Sequence, residues 1–423
     1  MTKRGTGKWV GLLAGVLVAG TAHAGGVFLY EVGTSDVGYA SAGWAARADA
    51  PVTILTNPAG MTRLDGIQVQ VAGELLYANL TFAPNSSTTV SGTNGGNAVG
   101  FLPNGSVFAT FAPWNDFRVG FGFASNFGLA AKWEDDWVGR YYTTQSALLG
   151  LSILPSVAWH VAGGLSVGVT FNAMYGYLKD VVAIPNLEPN AADGALGIQS
   201  STWGFGANVG LMYEFSKGSR IGITYTSPVS LSFAATPNFH GLGPLLAQKL
   251  GGLTTANINA GLTVPQTVML SFFQAITEQW AVMGDVGWQN WAAFGTVELG
   301  VSNTDTSHSL TTNIGYLNTW HGALGAQVQL SEPWQLDFGV AYDSTMTNDQ
   351  NRSLSLPIGD AWRFGVGTKW TLNANWTFGL SYEFLWGGNP SVDVSRIPSR
   401  VVSGTYANTW FNFIAFNFIW KGG

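Results

Sequence analysis

Large apolar side chains occupy every second position of residues 376–386, and mostly small or polar side chains lie between them. Successive side chains of a β-strand point to opposite faces, so this stretch would have one apolar face and one largely polar face. Trp376 and Trp386 stand at the two ends of the apolar face, and tryptophan is typical of the boundary between hydrocarbon and water. A tilted strand needs roughly 9–11 residues to cross a bilayer. The pattern therefore predicts a membrane-spanning β-strand.

The same alternation recurs along the chain, for example over 203–214, 334–343 and 362–370. A large soluble β-sandwich also has alternating strands, but it hides its aromatic side chains and carries more charge than the 10% found here. We count fourteen candidate strands, and an even number favours an all-β, closed antiparallel transmembrane barrel. They are predicted at 67–82, 104–114, 117–131, 147–161, 165–184, 201–215, 220–239, 262–276, 280–301, 319–330, 334–345, 361–372, 376–388 and 409–420.

The connections between the predicted strands alternate in length. The links after even-numbered strands are very short, such as 115–116, whereas most links after odd-numbered strands are long, such as 83–103 and 240–261. Outer-membrane barrels have short periplasmic turns and long extracellular loops. The alternation therefore predicts that both ends of the barrel domain lie in the periplasm.

The long connection at 240–261 has leucines at mostly helical spacing, among them Leu245, Leu246 and Leu250. This spacing predicts short helices with an apolar face on the cell exterior. That face either packs on neighbouring loops or offers a landing surface to a hydrophobic substrate.

Residues 1–24 have the pattern of a secretory signal peptide, with basic residues, then an apolar run, then Ala22-His23-Ala24. The remaining chain has no uninterrupted apolar run of roughly 18 residues, so no transmembrane helix is predicted. Export combined with many spanning strands indicates the outer membrane of a diderm bacterium. The formal net charge of −6 becomes more negative without the signal peptide, and an acidic chain does not suit nucleic-acid binding.

Residues 25–66 are rich in small residues and too polar and irregular for contact with lipid. Irregular backbone at membrane depth is tolerated only inside protein or in a water-filled cavity. We therefore expect this segment to plug the lumen of a barrel that extends over 67–423.

Motifs in the plug resemble those of a known family. Residues 33–38 (Gly-Thr-Ser-Asp-Val-Gly), Ala48-Asp49 and Asn57-Pro58-Ala59 resemble the N-terminal hatch of the FadL/TodX family of outer-membrane transporters for hydrophobic compounds. In addition, Ser125-Asn126-Phe127-Gly128 resembles the inward kink in the third strand by which that family opens its barrel wall. The chain differs from many such barrels in ending on Lys421-Gly422-Gly423 rather than on an aromatic residue.

The resemblance implies uptake of long-chain fatty acids or similar hydrophobic molecules. The substrate would land on the exterior loops, pass a hatch that rearranges around Asn57 and Pro58, and leave sideways into outer-membrane lipid at the kink. Residues 135–141 resemble the branch associated with aromatic hydrocarbons, so monoaromatic hydrocarbons and alkanes stay open as substrates. A nonspecific porin or an adhesin is a second alternative.

Several basic residues are candidates for binding a substrate carboxylate. Arg140 lies in the second exterior loop, and Arg363 and Lys369 lie on an inward strand face. The inward pair could instead form ion pairs with Glu383 and Asp337 that brace the wall, which we consider the more common role of such charges.

An outer-membrane enzyme would need a histidine beside a nucleophile. His160, His240, His308 and His321 are scattered, and we expect them to be solvated rather than catalytic. No metal-ligand cluster or phosphate-binding loop is present in the sequence, so no cofactor is expected. We expect a monomer that is not an enzyme.

Overall fold

The computed structural model describes residues 29–302, 307–355, 357 and 359–422. The predicted signal peptide and residues 25–28 of the predicted plug therefore lie outside the described residues. The helices are α1 (Thr53–Thr56), α2 (Pro244–Leu250) and α3 (Trp291–Phe294), with 3₁₀ turns at Ser35–Tyr39, Pro58–Arg63 and Gly251–Thr255. No helix among the described residues is long and apolar enough to cross a membrane.

The strands are β1 (Ile67–Asn79), β2 (Phe82–Pro84), β3 (Gly100–Trp114), β4 (Phe117–Lys132), β5 (Gln145–Ala162), β6 (Leu165–Ile184), β7 (Gly194–Ser216), β8 (Ser219–Thr226), β9 (Val229–Ala235), β10 (Asn238–His240), β11 (Asn257–Val264), β12 (Thr267–Ala275), β13 (Trp280–Gln289), β14 (Thr296–Ser302), β15 (Ser307–Asn313), β16 (Thr319–Ser331), β17 (Trp334–Asp343), β18 (Ala361–Thr371), β19 (Trp376–Gly388), β20 (Ser391–Val394), β21 (Val402–Tyr406) and β22 (Thr409–Gly422).

Fourteen of these strands form a closed antiparallel barrel, as the strand count predicts. Around the barrel they run β1, β3, β4, β5, β6, β7, β8, β12, β13, β16, β17, β18, β19 and β22. The first and last strands close the ring, with Ile67 opposite Gly422 and Asn79 opposite Trp410. Closure satisfies the backbone groups of the wall within the barrel itself, as a hydrocarbon environment demands.

Three predicted strands extend too far. The prediction runs through 220–239, 262–276 and 280–301, but only part of each range belongs to the barrel wall. Pro228 and Pro265 mark two of the breaks, since proline cannot donate to a strand ladder, and α3 marks the third. Beyond the breaks, β9, β11, β14 and β15 form a separate four-stranded sheet.

This separate sheet turns inward at the exterior end of the barrel. The β9 side chain of Leu231 lies over Gly176 of β6 and Gly204 of β7, both of which face the lumen. Phe233 is buried in the same apolar cluster, together with Trp291 and Phe294 of α3. The sheet and α3 therefore form an apolar roof over the lumen.

The outer face of the barrel follows the predicted alternation. On β19, Trp376, Leu380 and Trp386 are exposed, whereas Ser381 and Glu383 are buried on the lumen face. The stacked rings of Trp334 and Trp370, whose centroids lie 5.7 Å apart, belong to the end of the barrel that has the short turns. This arrangement matches the aromatic girdles of outer-membrane barrels.

Residues 29–66, here called the hatch, lie inside the lumen. Strands around the wall donate hydrogen bonds to hatch carbonyls, as in Ser106 Oγ to Val32 O (2.6 Å), Thr170 Oγ1 to Ile54 O (2.8 Å) and Arg220 Nε to Ala46 O (2.6 Å). The hatch backbone passes so close to Gly339 that a Cβ there would collide with the carbonyl of Tyr39. Small inward residues therefore make room for the hatch.

A buried ion pair holds the hatch together internally. Arg47 Nη2 lies 2.5 Å from Asp36 Oδ1, and both side chains are almost fully buried. Arg47 Nε also bonds Asp49 Oδ1 at 3.0 Å, and the guanidinium lies over the Tyr39 ring at 4.5 Å. Because the hatch has little regular secondary structure, this charged cluster substitutes for a strand or helix ladder.

Replacement of Arg47 with methionine should destabilise the hatch by roughly 3–5 kcal/mol, because Asp36 would stay buried without its cation. The exchange rate of the Ser41 amide, which donates to Asp36 O at 2.9 Å, would report this loss. Asp36→Asn in the same background should recover part of the protection. Arg63→Met is the control, since its pair with Glu214 is partly exposed and should be worth less than about 1 kcal/mol. Equal protection in Arg47→Met and the native chain would contradict the assignment.

Candidate functional site: a lateral cavity

β4 bends inward at residues 125–128. Its register with β5 shifts between Ser125 and Phe127, which leaves Asn126 as the extra residue of a bulge. As a result Phe127, which simple alternation would place outside, is fully buried against Trp291 with ring centroids 6.4 Å apart. Gly128 has φ 132°, and a Cβ there would collide with the carbonyl of Leu148. The geometry of the kink therefore requires glycine at this position.

The kink opens the wall between β3 and β4. Their pairing runs from Trp114 and Phe117 only as far as Ser106 and Ala124. Beyond that point, residues 100–105 of β3 pair with β1 alone, and β4 continues along β5. The exterior half of the barrel thus has a gap between these two strands.

Asn104 bridges the lower end of the gap. Its Nδ2 donates to Ser125 O across the gap (3.2 Å) and to Glu31 O of the hatch (3.0 Å). Its Oδ1 accepts from Gly105 N (2.7 Å). One side chain therefore links both edges of the gap to the hatch.

A cavity of about 310 Å³ lies behind the gap. This volume is at the lower end of the roughly 300–1,000 Å³ typical of small-molecule sites. The lining is mainly apolar and comprises Leu29, Leu76, Leu102, Pro103, Phe127, Gly128, Leu129, Ala130, Leu149, Leu385, Phe411 and Phe413, with Glu31, Glu74, Asn104, Ser125 and Arg363 as polar members. The lumen is thus apolar at the inward face of β22, which carries Phe411 and Phe413.

The first described residues of the hatch form one side of this cavity. Leu29 N donates to Asn126 O of the kink at 3.0 Å, and Ser106 of β3 bonds Val32 O. Gln289 Nε2 donates to the hydroxyl of Tyr30 at 2.7 Å. Burial and the nearby Asp343 carboxylate raise the pKa of Tyr30 well above its usual value, so the hydroxyl stays protonated. Residues 29–33, here called the arm, therefore lie between the kink and the opposite wall.

Charged side chains gather where the arm meets the cavity. Arg363 forms ion pairs with Glu31 of the arm, with Asp343 Oδ2 (2.6 Å) and with Glu383 Oε1 (3.1 Å). Glu74 Oε2 accepts from Gly33 N at 3.2 Å. All five of these side chains are buried. Arg363 thus joins the arm to β17 and β19.

The expectation of solvated histidines is wrong for His321. His321 is buried, with Nδ1 2.7 Å from Asp343 Oδ1 and Nε2 3.2 Å from Ser41 Oγ. The order Ser–His–Asp has the connectivity of a catalytic triad, but Ser41 Oγ donates to its own neighbour's carbonyl, Ala40 O. Ser41 is 1% exposed and lies outside the apolar cavity. These contacts therefore brace the hatch against β16.

The hatch motif lies away from the cavity. Asn57 Oδ1 accepts from Ala59 N (3.0 Å), and its Nδ2 donates to Ala45 O (2.6 Å) and Leu211 O (3.1 Å). Pro58 and Ala59 pack over Gly168 of β6. The structure thus does not bring Asn57-Pro58-Ala59 into contact with the kink, which the arm contacts instead.

The remaining candidate basic residues also lie outside the cavity. Lys369 Nζ pairs with Asp49 Oδ2 of the hatch at 2.5 Å. Arg140 Nε pairs with Asp193 at 2.9 Å, and its Nη1 donates to Ser91 O at 2.8 Å. Lys369 therefore braces the wall against the hatch, with Asp49 rather than Asp337 or Glu383 as its partner.

The predicted exterior helix is present as α2. Leu246 and Leu250 are buried against Val182 and Leu196 of the neighbouring strands, whereas Leu245 is half exposed. Most of the apolar face of α2 therefore packs on the protein, and Leu245 is the leucine of this set that faces solvent.

Sequence patterns alone did not single out Glu31, Glu74 or Asn104. Glu74 carried a usable signal, because it is a carboxylate on the lumen face of β1 next to Leu76. The roles of Asn104 and Glu31 depend on contacts across the gap and have no local pattern.

Comparison with known proteins agrees with this architecture. The family model described as "Outer membrane protein transport protein (OMPP1/FadL/TodX)" matches residues 15–409. The chain belongs to the OMPP1/FadL/TodX family. It is an outer-membrane, multi-pass β-barrel.

Relatives in this family share the length of the chain. Outer membrane protein P1 of Haemophilus influenzae is 29% identical over 417 residues, which cover 88% of each chain. The long-chain fatty acid transport protein of Escherichia coli K12 is 26% identical over 426 residues, covering 92% of this chain and 94% of the relative.

Two solved structures show the same fold. A Pseudomonas aeruginosa FadL homologue aligns with a TM-score of 0.82 at 17% identity, covering 93% of this chain and 99% of that one. The Pseudomonas putida toluene transporter TodX aligns with a TM-score of 0.69 at 14% identity, covering 94% and 99%.

Replacement of Asn104 with alanine should loosen the arm, because Glu31 O and Ser125 O would both lose their donor. We expect the Leu29 amide to exchange roughly fivefold faster, as the loss of about 1 kcal/mol of hydrogen bonding implies. Hydrogen exchange measured by mass spectrometry or NMR would detect this change. Asn97→Ala is a matched control, since Asn97 also bonds backbone groups, Leu80 N and Ala78 O, in an exterior loop. Similar arm protection in both variants would show that Asn104 does not hold the arm.

Proposed function

We propose that this protein is an outer-membrane channel for the uptake of hydrophobic small molecules, either long-chain fatty acids or hydrocarbons. The observation that carries the proposal is the apolar cavity that opens onto the gap between β3 and β4. The names of its relatives support both substrate classes, since one is a long-chain fatty acid transport protein and one structural neighbour is a toluene transporter.

The physical problem for such a substrate is water rather than the membrane. Each CH₂ group that moves from an apolar environment into water costs about 0.8 kcal/mol. A water-filled pore would not lower this cost, whereas a cavity lined by Leu102, Leu385, Phe411 and Phe413 would. A gap in the wall then lets the molecule reach hydrocarbon without entering the periplasm.

The proposed path has three stages. Substrate lands on the exterior surface near Leu245 and passes to the cavity. It waits there against the arm, which lies between the cavity and the rest of the lumen. Displacement of the arm and of Asn104 then widens the gap at Ser125 to Gly128, and the substrate leaves sideways into outer-membrane lipid. A single chain contains all of these parts, so the proposed unit is a monomer.

A nonspecific porin is the main alternative. The hatch argues against it, because residues 29–66 bond to strands around the lumen and occupy the space through which small solutes would diffuse. In addition, a porin lumen is lined by polar residues, whereas this cavity is lined mainly by leucine and phenylalanine.

A reversible lock on the gap tests the proposal. The chain has no cysteine, so Asn104→Cys/Ser125→Cys introduces a single pair across the gap. In an Escherichia coli strain lacking its long-chain fatty acid transport protein, uptake of labelled oleate, hexadecane and toluene would be measured. We expect oxidation of the pair to abolish most of the uptake and a reductant to restore it.

The control is Val107→Cys/Phe123→Cys, which joins β3 and β4 where they already pair. Oxidation of this pair should leave uptake unchanged. Equal uptake by the oxidised and reduced gap pair would contradict lateral exit. Absence of uptake of all three compounds would contradict the transport function, and rapid entry of hydrophilic sugars would favour a porin.

A further inference from the structure

The polar end of the apolar cavity has more carboxylates than cations. Its charged lining residues are Glu31, Glu74 and Arg363. This imbalance bears on the question that the proposed function leaves open, namely whether the ligand carries a charge.

Arg363 is already surrounded by carboxylates of the protein. Its guanidinium already pairs with Glu31, Asp343 and Glu383, and the side chain of each partner is at most 2% exposed. Two of these partners lie on β17 and β19, so they are fixed in the wall. His321, which is a cation when protonated, also pairs with Asp343. A ligand carboxylate at Arg363 would therefore be the fourth carboxylate around one guanidinium.

Glu74 adds a further acidic group without a compensating cation. Among the described residues, no lysine, arginine or histidine lies within ion-pair distance of Glu74, and its Oε2 accepts from the Gly33 amide. Lys369 and Arg140, the other basic candidates, pair with Asp49 and Asp193 away from the cavity. A carboxylate ligand at the polar end of this cavity would bury its charge beside acidic groups, with Arg363 already paired to three carboxylates, and a buried charge without a partner is costly.

An uncharged ligand meets no such penalty. A hydrocarbon would contact the leucine and phenylalanine lining and leave the charged cluster intact. An alcohol could in addition donate its hydroxyl proton to a carboxylate oxygen, a charge-assisted hydrogen bond. We infer that the cavity selects uncharged apolar molecules, hydrocarbons and alcohols, over ionised carboxylates, and that Glu31 and Glu74 determine this selectivity. The inference rests on the proposed function, because it concerns the ligand of the same cavity.

A matched pair of ligands tests the inference. Dodecanol and dodecanoate differ at one end only, and at a mildly alkaline pH the acid is fully ionised. The full-length mature protein would be placed in nanodiscs of zwitterionic lipid, with empty nanodiscs as background. Displacement of the neutral fluorophore phenylnaphthylamine would then give the relative affinities. We expect dodecanol to displace the fluorophore at a concentration on the order of tenfold lower than dodecanoate does.

Substitution of each of the two glutamates tests whether they determine the selectivity. Glu74→Gln and Glu31→Gln should each raise the affinity for dodecanoate severalfold relative to that for dodecanol, because the lost carboxylate disfavours only the charged ligand, whereas the glutamine amide oxygen can still accept a hydrogen bond from the alcohol. The effect of Glu31→Gln should be the larger, since this change also releases one partner of Arg363. Glu332→Gln, in an exposed periplasmic turn, removes a carboxylate far from the cavity and should change neither ligand.

The outcomes separate the two proposals. If dodecanoate binds as tightly as dodecanol in the native chain, the inference fails while transport of hydrophobic molecules stands. If neither ligand displaces the fluorophore, the proposed function itself is contradicted. If selectivity is present but unchanged in both glutamine variants, Glu31 and Glu74 are not its determinants.

Discussion

Backbone groups at membrane depth must find hydrogen-bond partners inside the protein, and the cavity lies where the barrel stops supplying them. Above Ser106 and Ala124, β3 and β4 no longer pair. Three groups at this break are satisfied in other ways. Asn104 Nδ2 bonds Ser125 O, Asn104 Oδ1 bonds Gly105 N, and Leu29 N bonds Asn126 O. The wall therefore tolerates a gap because the Asn104 side chain and the arm replace some of the backbone hydrogen bonds between β3 and β4.

This replacement couples the gap to the lumen. Strand ladders are continuous and cooperative, whereas the contacts at the gap depend on a short segment that enters from inside the barrel. The arm has its own attachment on the far side, through the ion pair of Glu31 with Arg363. Any ligand that shifts the arm therefore changes the hydrogen bonding of the gap and the charge balance at Arg363 together.

Much of the fold could be predicted from the sequence, because a lipid-facing wall imposes a strict alternation on each strand. The outward Trp376 and Trp386 follow from period two alone, whereas for β22, apolar on both faces, period two groups Phe411 with Phe413 without saying which face points inward. The inward roof could not be predicted in this way. Its strands β9, β11 and β14 alternate as well as wall strands do, and only Pro228, Pro265 and α3 mark where the chain turns inward. The site depends on contacts between residues far apart in sequence, such as Asn104 with Glu31 and Ser125, and such contacts leave no periodic signal.

The lumen face of β1 explains why the hatch and the cavity occupy different halves of the barrel. From the periplasmic end it presents Gln68, Gln70, Ala72 and Glu74, and then Leu76 and Ala78. A hatch rich in exposed carbonyls and amides is stable against the polar half, as shown by Gln70 Oε1, which accepts from Val52 N at 2.9 Å. The cavity lies in the apolar half of the lumen. The region of Asn57 is tied to β6 and β7 through Ile54, Leu55 and Leu211 carbonyls. The arm contacts the kink at the boundary between the two halves, so an opening confined to the arm requires fewer broken contacts than a movement of the whole hatch.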